Sequence, residues 1–199
     1  MNIAVLASGR GSNFQAIVRN VKHNHLQATI TCLISDNPDA YALQIAKDNG
    51  IEALYFDPKQ LNDKDHYNQF IADELLKRSV QLVVLAGYMR IVRKPLLNAF
   101  PNAIINIHPT LLPSFPGAHG HRDAIAYGVK YSGCTVHFVD EGMDTGPIIM
   151  QSVIPVDDKD TEESLAKKIL PLEHMLLSEA IRLFISDRLK INGRKVIIN

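Results

Sequence analysis

The sequence lacks most of the features that would set it apart from ordinary globular proteins. Its two cysteines, Cys32 and Cys134, lie far apart and form no C-x-x-C motif, which excludes a disulfide scaffold and a cysteine-rich zinc site. Basic and acidic residues balance at 21 each, so there is no general basic field for nucleic acid. No apolar run approaches the ~18 residues of a membrane span, and no charged leader precedes the first apolar stretch. We therefore expect a reduced, soluble, cytoplasmic protein.

Strand and helix patterns alternate through the first half of the 199 residues. An apolar stretch at residues 3–7 precedes a glycine loop and an amphipathic helix. Further strands are expected at residues 29–34, 53–56, 82–86 and 103–108. Such alternation favours an α/β fold with a doubly wound, mostly parallel sheet in a single domain. Right-handed crossovers place the carboxyl ends of parallel strands at one edge, where ligands bind.

The second half of the chain is less regular. Two strands are expected at residues 134–139 and 148–153, and a long helix is expected to run to about Ser186. Asp160 and Glu163 resemble a capping box at the start of this helix. Asn192 and Gly193 suggest a terminal hairpin with a tight turn.

The first candidate site is the glycine loop at residues 9–13, between a strand and a helix. Consecutive amides at a helix N-terminus bind anions, and glycine lets a phosphate approach closely. The loop lacks the Gly-Lys-Ser/Thr of a Walker A motif, and Phe14 replaces the third glycine of a dinucleotide fingerprint. Asp36 nevertheless ends the second strand, where a ribose-binding acid could sit. A plain turn with Ser12 or Asn13 as the helix cap is the structural alternative.

The second candidate is the pair Asn106 and His108 at the end of the fifth strand. Side chains repeat every second residue along a strand, so the pair shares one face. An amide and an imidazole side by side can donate hydrogen bonds to an oxygen on which negative charge develops. Two polar residues that merely close a strand would look the same in the sequence.

The third candidate is the acidic loop at residues 140–147. If Asp144 reaches His108, it would fix the tautomer of the ring and favour its protonated form. An ordinary turn is the alternative, since the EF-hand pattern does not fit. His119, His121 and His137 are extra metal-ligand candidates, but without a metal-binding spacing we expect no metal. The sequence offers no nucleophile elbow and no compelling nucleophilic cysteine, which favours direct attack over a covalent enzyme intermediate.

Five segments in this order resemble the phosphoribosylglycinamide formyltransferases, the folate-dependent transformylases of purine synthesis. They are residues 7–13 (ASGRGSN), 85–91 (LAGYMRI), 106–113 (NIHPTLLP), 117–124 (GAHGHRDA) and 133–147, the last from GCTVHFV to DTGP. The resemblance covers nearly the whole chain. It implies a Rossmann-like formyltransferase domain over residues 1–199, with a phosphate-binding half at about 1–100 and a folate-binding and catalytic half at about 101–199.

The resemblance also implies two small-molecule substrates and a set of binding residues. Glycinamide ribonucleotide would place its phosphate on the amides of Gly11, Ser12 and Asn13, with Glu173 as a further contact. The formyl donor 10-formyltetrahydrofolate would lie across a segment of four residues, with Asn106 also in contact and Lys64 reaching its acidic tail. The four are Met89, Arg90, Ile91 and Val92. Core packing is the alternative for this segment, and a solvated helix face is the alternative for Glu173. A homodimer is a further expectation.

The implied reaction is direct attack of the glycinamide amine on the formyl carbon. Asn106 and protonated His108 would stabilise the oxygen of the tetrahedral intermediate, and Asp144 would support the imidazolium. His108, or a water ordered by Asp144, would move the protons.

Three other functions stay open at this point. A 10-formyltetrahydrofolate hydrolase shares the same Asn, His and Asp but normally carries an N-terminal regulatory domain, for which the chain offers no room. Methionyl-tRNA formyltransferases share the core but add a C-terminal domain and a basic surface, and we expect neither from this sequence. A non-catalytic sugar-phosphate or nucleotide-binding module would need the loop but not the catalytic residues.

Overall fold

Four parallel strands form the sheet of the first half of the chain, in the computed structural model of the protein. The structure describes residues 1–60 and 63–199, which divide into two compact units, 1–105 and 106–199. In the first unit the strand order is β3-β2-β1-β4. Its elements are β1 (Asn2–Leu6), α1 (Ser12–Lys22), β2 (Thr29–Ser35), α2 (Tyr41–Asp48), β3 (Glu52–Tyr55), α3 (Lys64–Lys77), β4 (Leu82–Leu85) and α4 (Lys94–Ala99).

The central strands of the first unit are buried on both faces. Ile3, Leu6, Leu33 and Val84 have no exposed surface. Burial on both faces explains why these strands are continuously apolar rather than alternating. The sequence therefore predicted the strands correctly, and the predicted α/β class with a mostly parallel sheet is confirmed.

The second unit pairs its strands mainly in antiparallel fashion. Strand β5 (Ile104–His108) crosses the boundary between the units, and α5 (Gly120–Tyr127), β6 (Tyr131–Phe138), β7 (Ile148–Pro155), α6 (Glu162–Ile185), β8 (Leu189–Asn192) and β9 (Lys195–Ile198) follow. β6 and β7 are antiparallel, as are β8 and β9, which confirms the terminal hairpin. In the described residues, no helix is both long enough and apolar enough to cross a membrane.

The residues predicted to form the capping box of α6 are wrong. The capping box of α6 consists of Thr161 and Ser164 instead of Asp160 and Glu163. The hydroxyl of Thr161 accepts from the amide of Ser164, and the hydroxyl of Ser164 accepts from the amide of Thr161. Asp160 instead accepts from the Ser164 hydroxyl and pairs with Lys168. The acidic pair lies one position before the two hydroxyl residues that form the capping box, which is why the acidic pattern misled.

Candidate active site

Asn106, His108 and Asp144 lie together in the second unit. The Nδ1 atom of His108 is 3.4 Å from Oδ2 of Asp144. The Nδ2 atom of Asn106 is 3.5 Å from Oδ1 of the same carboxylate. Strand β5 places the first two side chains on one face, as its two-residue period predicted. The acidic loop after β6 brings the carboxylate to that face.

His137 on β6 determines how the amide of Asn106 is turned. Its Nδ1–H donates to the carbonyl of Phe138 at 2.8 Å, which leaves a lone pair on Nε2. This nitrogen lies 3.2 Å from Nδ2 of Asn106 and accepts from it. Burial lowers the pKa of His137, so its neutral form is favoured. The amide nitrogen of Asn106 therefore faces both His137 and Asp144, because its oxygen would be repelled by both.

The ring of His108 is held by the loop that follows β5. Its Nε2–H donates to the carbonyl of Phe115 at 2.9 Å, which turns Nδ1 towards Asp144. Both ring nitrogens thus face acceptors, an arrangement that the doubly protonated imidazolium satisfies. The side chain of His108 is 4% exposed, so its donors act where little water competes.

Asp144 is fixed by its own backbone and by a neighbouring amide. Its φ of 54° lies in the left-handed region, which aspartate tolerates better than most residues. Oδ2 accepts from the amide of Gly117 at 2.7 Å. Gly146 lets the loop return close to β6, since a Cβ there would meet the Phe138 carbonyl oxygen at 1.7 Å. The carboxylate therefore has a short contact through Oδ2, to the Gly117 amide.

Two N–H donors consequently converge on a carboxylate that holds each of them loosely. The separations of 3.4 and 3.5 Å are long for hydrogen bonds, whereas the Gly117 contact is short. A developing oxyanion placed between His108 and Asn106 would gain both donors without loss of the contacts to Phe115 and His137. This arrangement suits the stabilisation of a tetrahedral intermediate.

The glycine loop of the first unit leads into α1 without a side-chain cap. Gly11 is the N-cap, with φ 73°, and no side chain caps the helix there, so the alternative of a Ser12 or Asn13 cap is wrong. A Cβ on Gly11 would meet the Cβ of Ala42 at 2.8 Å. Glycine is therefore required at this position by packing against α2 as well as by the backbone angle. The phosphate contacts of Gly11, Ser12 and Asn13 stay a prediction.

The residues expected from the sequence to bind the formyl donor lie in the same unit as the glycine loop. Met89 and Ile91 are exposed, at 69% and 57%, whereas Val92 is buried, so core packing accounts for only part of this segment. Lys64 is exposed at the first residue of α3. The amide of Arg93 donates to Oδ1 of Asn68 at 2.9 Å, which links this segment to α3.

Glu173 lies on α6 and is 7% exposed, so the alternative of a solvated helix face is wrong. Burial, together with the charge of Glu173, raises the pKa of the Cys134 thiol to about 12. Such a thiol is a poor nucleophile, and the sequence likewise predicts direct attack without a covalent enzyme intermediate. Within residues 1–60 and 63–199, no group of three or more His, Cys, Asp or Glu side chains could hold a metal ion.

Residues 1–181 match the family described as formyl transferase. A phosphoribosylglycinamide formyltransferase of Bacillus subtilis is 45% identical, over 90% of this chain and 92% of the relative. The chain belongs to this formyltransferase family. A glycinamide ribonucleotide transformylase from Symbiobacterium toebii has a TM-score of 0.98 and 48% identity, and the match covers 100% of this chain and 93% of that one.

Longer members of the same fold also match the chain. A formyltetrahydrofolate deformylase from Pseudomonas syringae has a TM-score of 0.90 at 29% identity, and the match covers 99% of this formyltransferase but 65% of the deformylase. The higher identity to the transformylases favours transfer over hydrolysis.

Sequence reasoning missed three residues that shape the candidate catalytic cluster of this formyltransferase. They are His137, Phe115 and Gly117, which contact Asn106, His108 and Asp144 respectively. The sequence marks His137 only as a candidate metal ligand. The two-residue period of β6, which puts Thr135 and His137 on one face, was the available signal. The contacts of Phe115 and Gly117 use backbone atoms, which residue type does not reveal.

Proposed function

We propose that this formyltransferase moves the formyl group of 10-formyltetrahydrofolate to the amine of 5′-phosphoribosylglycinamide. The products are formylglycinamide ribonucleotide and tetrahydrofolate, a step of purine biosynthesis. The observation that carries the proposal is the convergence of Asn106 and His108 donors on Asp144. The names of the relatives supply the substrates, and the geometry supplies the chemistry. A cytoplasmic location and a homodimer stay predictions.

The acceptor amine attacks the formyl carbon, and the carbonyl oxygen becomes negative. The Nδ1–H of His108 and an Nδ2–H of Asn106 stabilise that oxygen. Asp144 stabilises the imidazolium and orders a water that carries the proton from the attacking amine to the departing folate nitrogen. The C–N bond to the donor breaks as the intermediate collapses, so that no bond to the enzyme forms.

Binding of the two substrates is assigned to the other predicted residues. The phosphate of the acceptor lies on the amides of Gly11, Ser12 and Asn13, and Glu173 contacts the ribonucleotide. The donor lies along Met89, Arg90, Ile91 and Val92, and Lys64 faces its acidic tail. Support comes from the uncapped start of α1, the burial of Glu173 and the exposure of Met89 and Ile91.

The test follows release of tetrahydrofolate from the formyl donor with and without the acceptor. We expect negligible turnover of the donor alone and rapid turnover with glycinamide ribonucleotide, with the formyl group recovered on the glycinamide nitrogen. An anchored amine outcompetes water because it has a higher effective concentration. Rapid release of free formate without the acceptor would identify a hydrolase. Ligand binding without any turnover would identify a binding module.

A further inference from the structure

The residues that we assign to the formyl donor, 89–92, lie within a longer segment that has no regular structure. Residues 86–93, all within the described part of the chain, form neither helix nor strand. Its position therefore depends on individual contacts rather than on a ladder of backbone hydrogen bonds. The side chains of Met89 and Ile91 are mostly exposed, so they contribute little packing that would hold the segment.

The hydroxyl of Ser8 anchors the backbone of Met89, near the start of this segment. Ser8 lies just beyond β1, and its Oγ accepts from the backbone amide of Met89 at 2.9 Å. The same hydroxyl donates to Oδ1 of Asp36 at 2.5 Å. The backbone amide of Ser8 also donates to the carbonyl of Gly87 at 3.0 Å. The ends of β1 and β2 are thereby tied to the first residues of the segment.

The second oxygen of Asp36 faces the guanidinium of Arg90. Oδ2 of Asp36 and Nη1 of Arg90 are 3.7 Å apart, and the side chain of Asp36 is 12% exposed. The guanidinium carbon of Arg90 lies 5.3 Å from the centroid of the Tyr67 ring, within the range of a cation–π contact. Arg90 is thus held between a carboxylate and an aromatic face. Asp36 already engages both of its oxygens, which argues against its use as a ribose-binding acid.

The far end of the segment has a separate anchor. Asn68 on α3 accepts from the amide of Arg93 and donates from Nδ2 to the carbonyl of Lys64 at 2.9 Å. Asn68 is 5% exposed. The two ends are fixed by different elements, so the loss of the Ser8 anchor should free the Met89 end and leave the Arg93 end in place.

We propose that Ser8 and Asp36 are positioning residues for the formyl donor. Ser8 fixes the backbone of Met89, and Asp36 fixes both the Ser8 hydroxyl and the side chain of Arg90. The proposal rests on the assignment of residues 89–92 to donor binding. Because these residues act on the donor surface and not on the reacting atoms, their loss should weaken donor binding more than it slows chemistry.

The test uses Ser8→Ala and Asp36→Asn in the full chain. Loss of one anchoring hydrogen bond should raise the KM for 10-formyltetrahydrofolate by about tenfold, with kcat and the KM for the ribonucleotide within about twofold. Ser8→Thr keeps the hydroxyl and should restore the donor KM. Asp36→Asn keeps an acceptor for Ser8 but removes the charge that faces Arg90, so we expect a smaller rise.

Two matched variants control for general damage to the first unit. Thr31→Val removes a hydroxyl that donates to the carbonyl of Ile3 at 3.1 Å. Glu52→Gln weakens the ion pair with Arg78, whose atoms are 2.7 Å apart. Neither side chain contacts the 86–93 segment in these interactions, so both variants should leave the donor KM unchanged.

The outcomes distinguish a failure of the positioning role from a failure of the proposed function. An unchanged donor KM in Ser8→Ala, or an equal rise in the KM for the ribonucleotide, would overturn the positioning role. Calorimetry with tetrahydrofolate measures donor-site affinity without turnover and should show the same loss. Thermal unfolding identifies a variant that fails to fold, in which case Asp36→Asn decides. A wild-type enzyme that binds tetrahydrofolate but transfers no formyl group would overturn the function and leave the anchor testable by calorimetry.

Discussion

The candidate site of the first unit is made largely of backbone groups, whereas that of the second unit is made of side chains. In the first unit, the expected phosphate loop presents backbone around Gly11, and the donor segment is a stretch of irregular backbone held by Ser8 and Asn68. In the second unit, the side chains of Asn106, His108 and Asp144 make the site. Backbone surfaces bind shapes and charges, whereas paired side chains can move protons and stabilise a developing charge. Substitutions in the glycine loop and in the donor segment should therefore change affinity, and those at Asn106, His108 and Asp144 should change turnover.

The largest expected effect tests the second unit. His108→Ala and Asn106→Ala each remove one donor to the oxyanion and should lower kcat by about 10²–10³, with both substrates still bound. His25→Ala, at an exposed histidine of the first unit, is the matched control and should keep full activity. Steady-state kinetics and calorimetry together measure the two quantities. A rise in KM without a fall in kcat would break the division between the units.

The glycine loop offers a matched pair of substitutions in the first unit. Gly11→Ala would clash with Ala42 at a left-handed backbone angle, so it should lower the free energy of unfolding by about 1–3 kcal/mol. Gly9 has no atom within 4 Å of the position of an added Cβ. Gly9→Val should therefore keep its stability. Its side chain at the start of the glycine loop should hinder the approach of the phosphate and so raise the KM for the ribonucleotide. Thermal unfolding and acceptor kinetics check the pair, and normal acceptor affinity in Gly9→Val would contradict the phosphate site.

A smaller loss of turnover is expected when Asn106 loses its support. His137→Ala removes the acceptor that turns the amide and should lower kcat by about tenfold, less than the loss of Asn106 itself. In the double variant with Asn106→Ala the two losses should not add, since they act through the same amide. Full additivity in this double-mutant cycle would mean that His137 acts independently of Asn106.

The smallest effect concerns the pH dependence of stability. Burial lowers the pKa of His137 in the folded protein, so below about pH 6.5 the unfolded chain binds the extra proton first. Stability should therefore fall as the pH drops below that value and should be insensitive to this group above it. The decline in unfolding temperature between about pH 7 and pH 5.5 should be smaller in His137→Ala than in the wild type. Equal slopes would contradict a buried, neutral His137.

Local patterns were sufficient for the strands and for part of the site. Continuous apolar runs predicted the buried parallel strands, because burial on both faces leaves no polar alternation. The period of a strand put Asn106 and His108 on one face. Short elements were harder to predict: α4 has six residues with a proline in its first turn, too few for a helical period to show.

By itself the sequence determined where strands and loops form and which residues stand at their ends. The conformational preferences that decide this act over a few neighbouring residues. The tertiary structure decided which of them meet. His137 lies 31 residues and Asp144 lies 38 residues from Asn106, yet both contact its amide. Ser8 is 81 residues from Met89, whose amide it holds. Such contacts depend on how strands pair and loops close over long separations, and residue spacing along the chain does not encode the resulting orientations and tautomers.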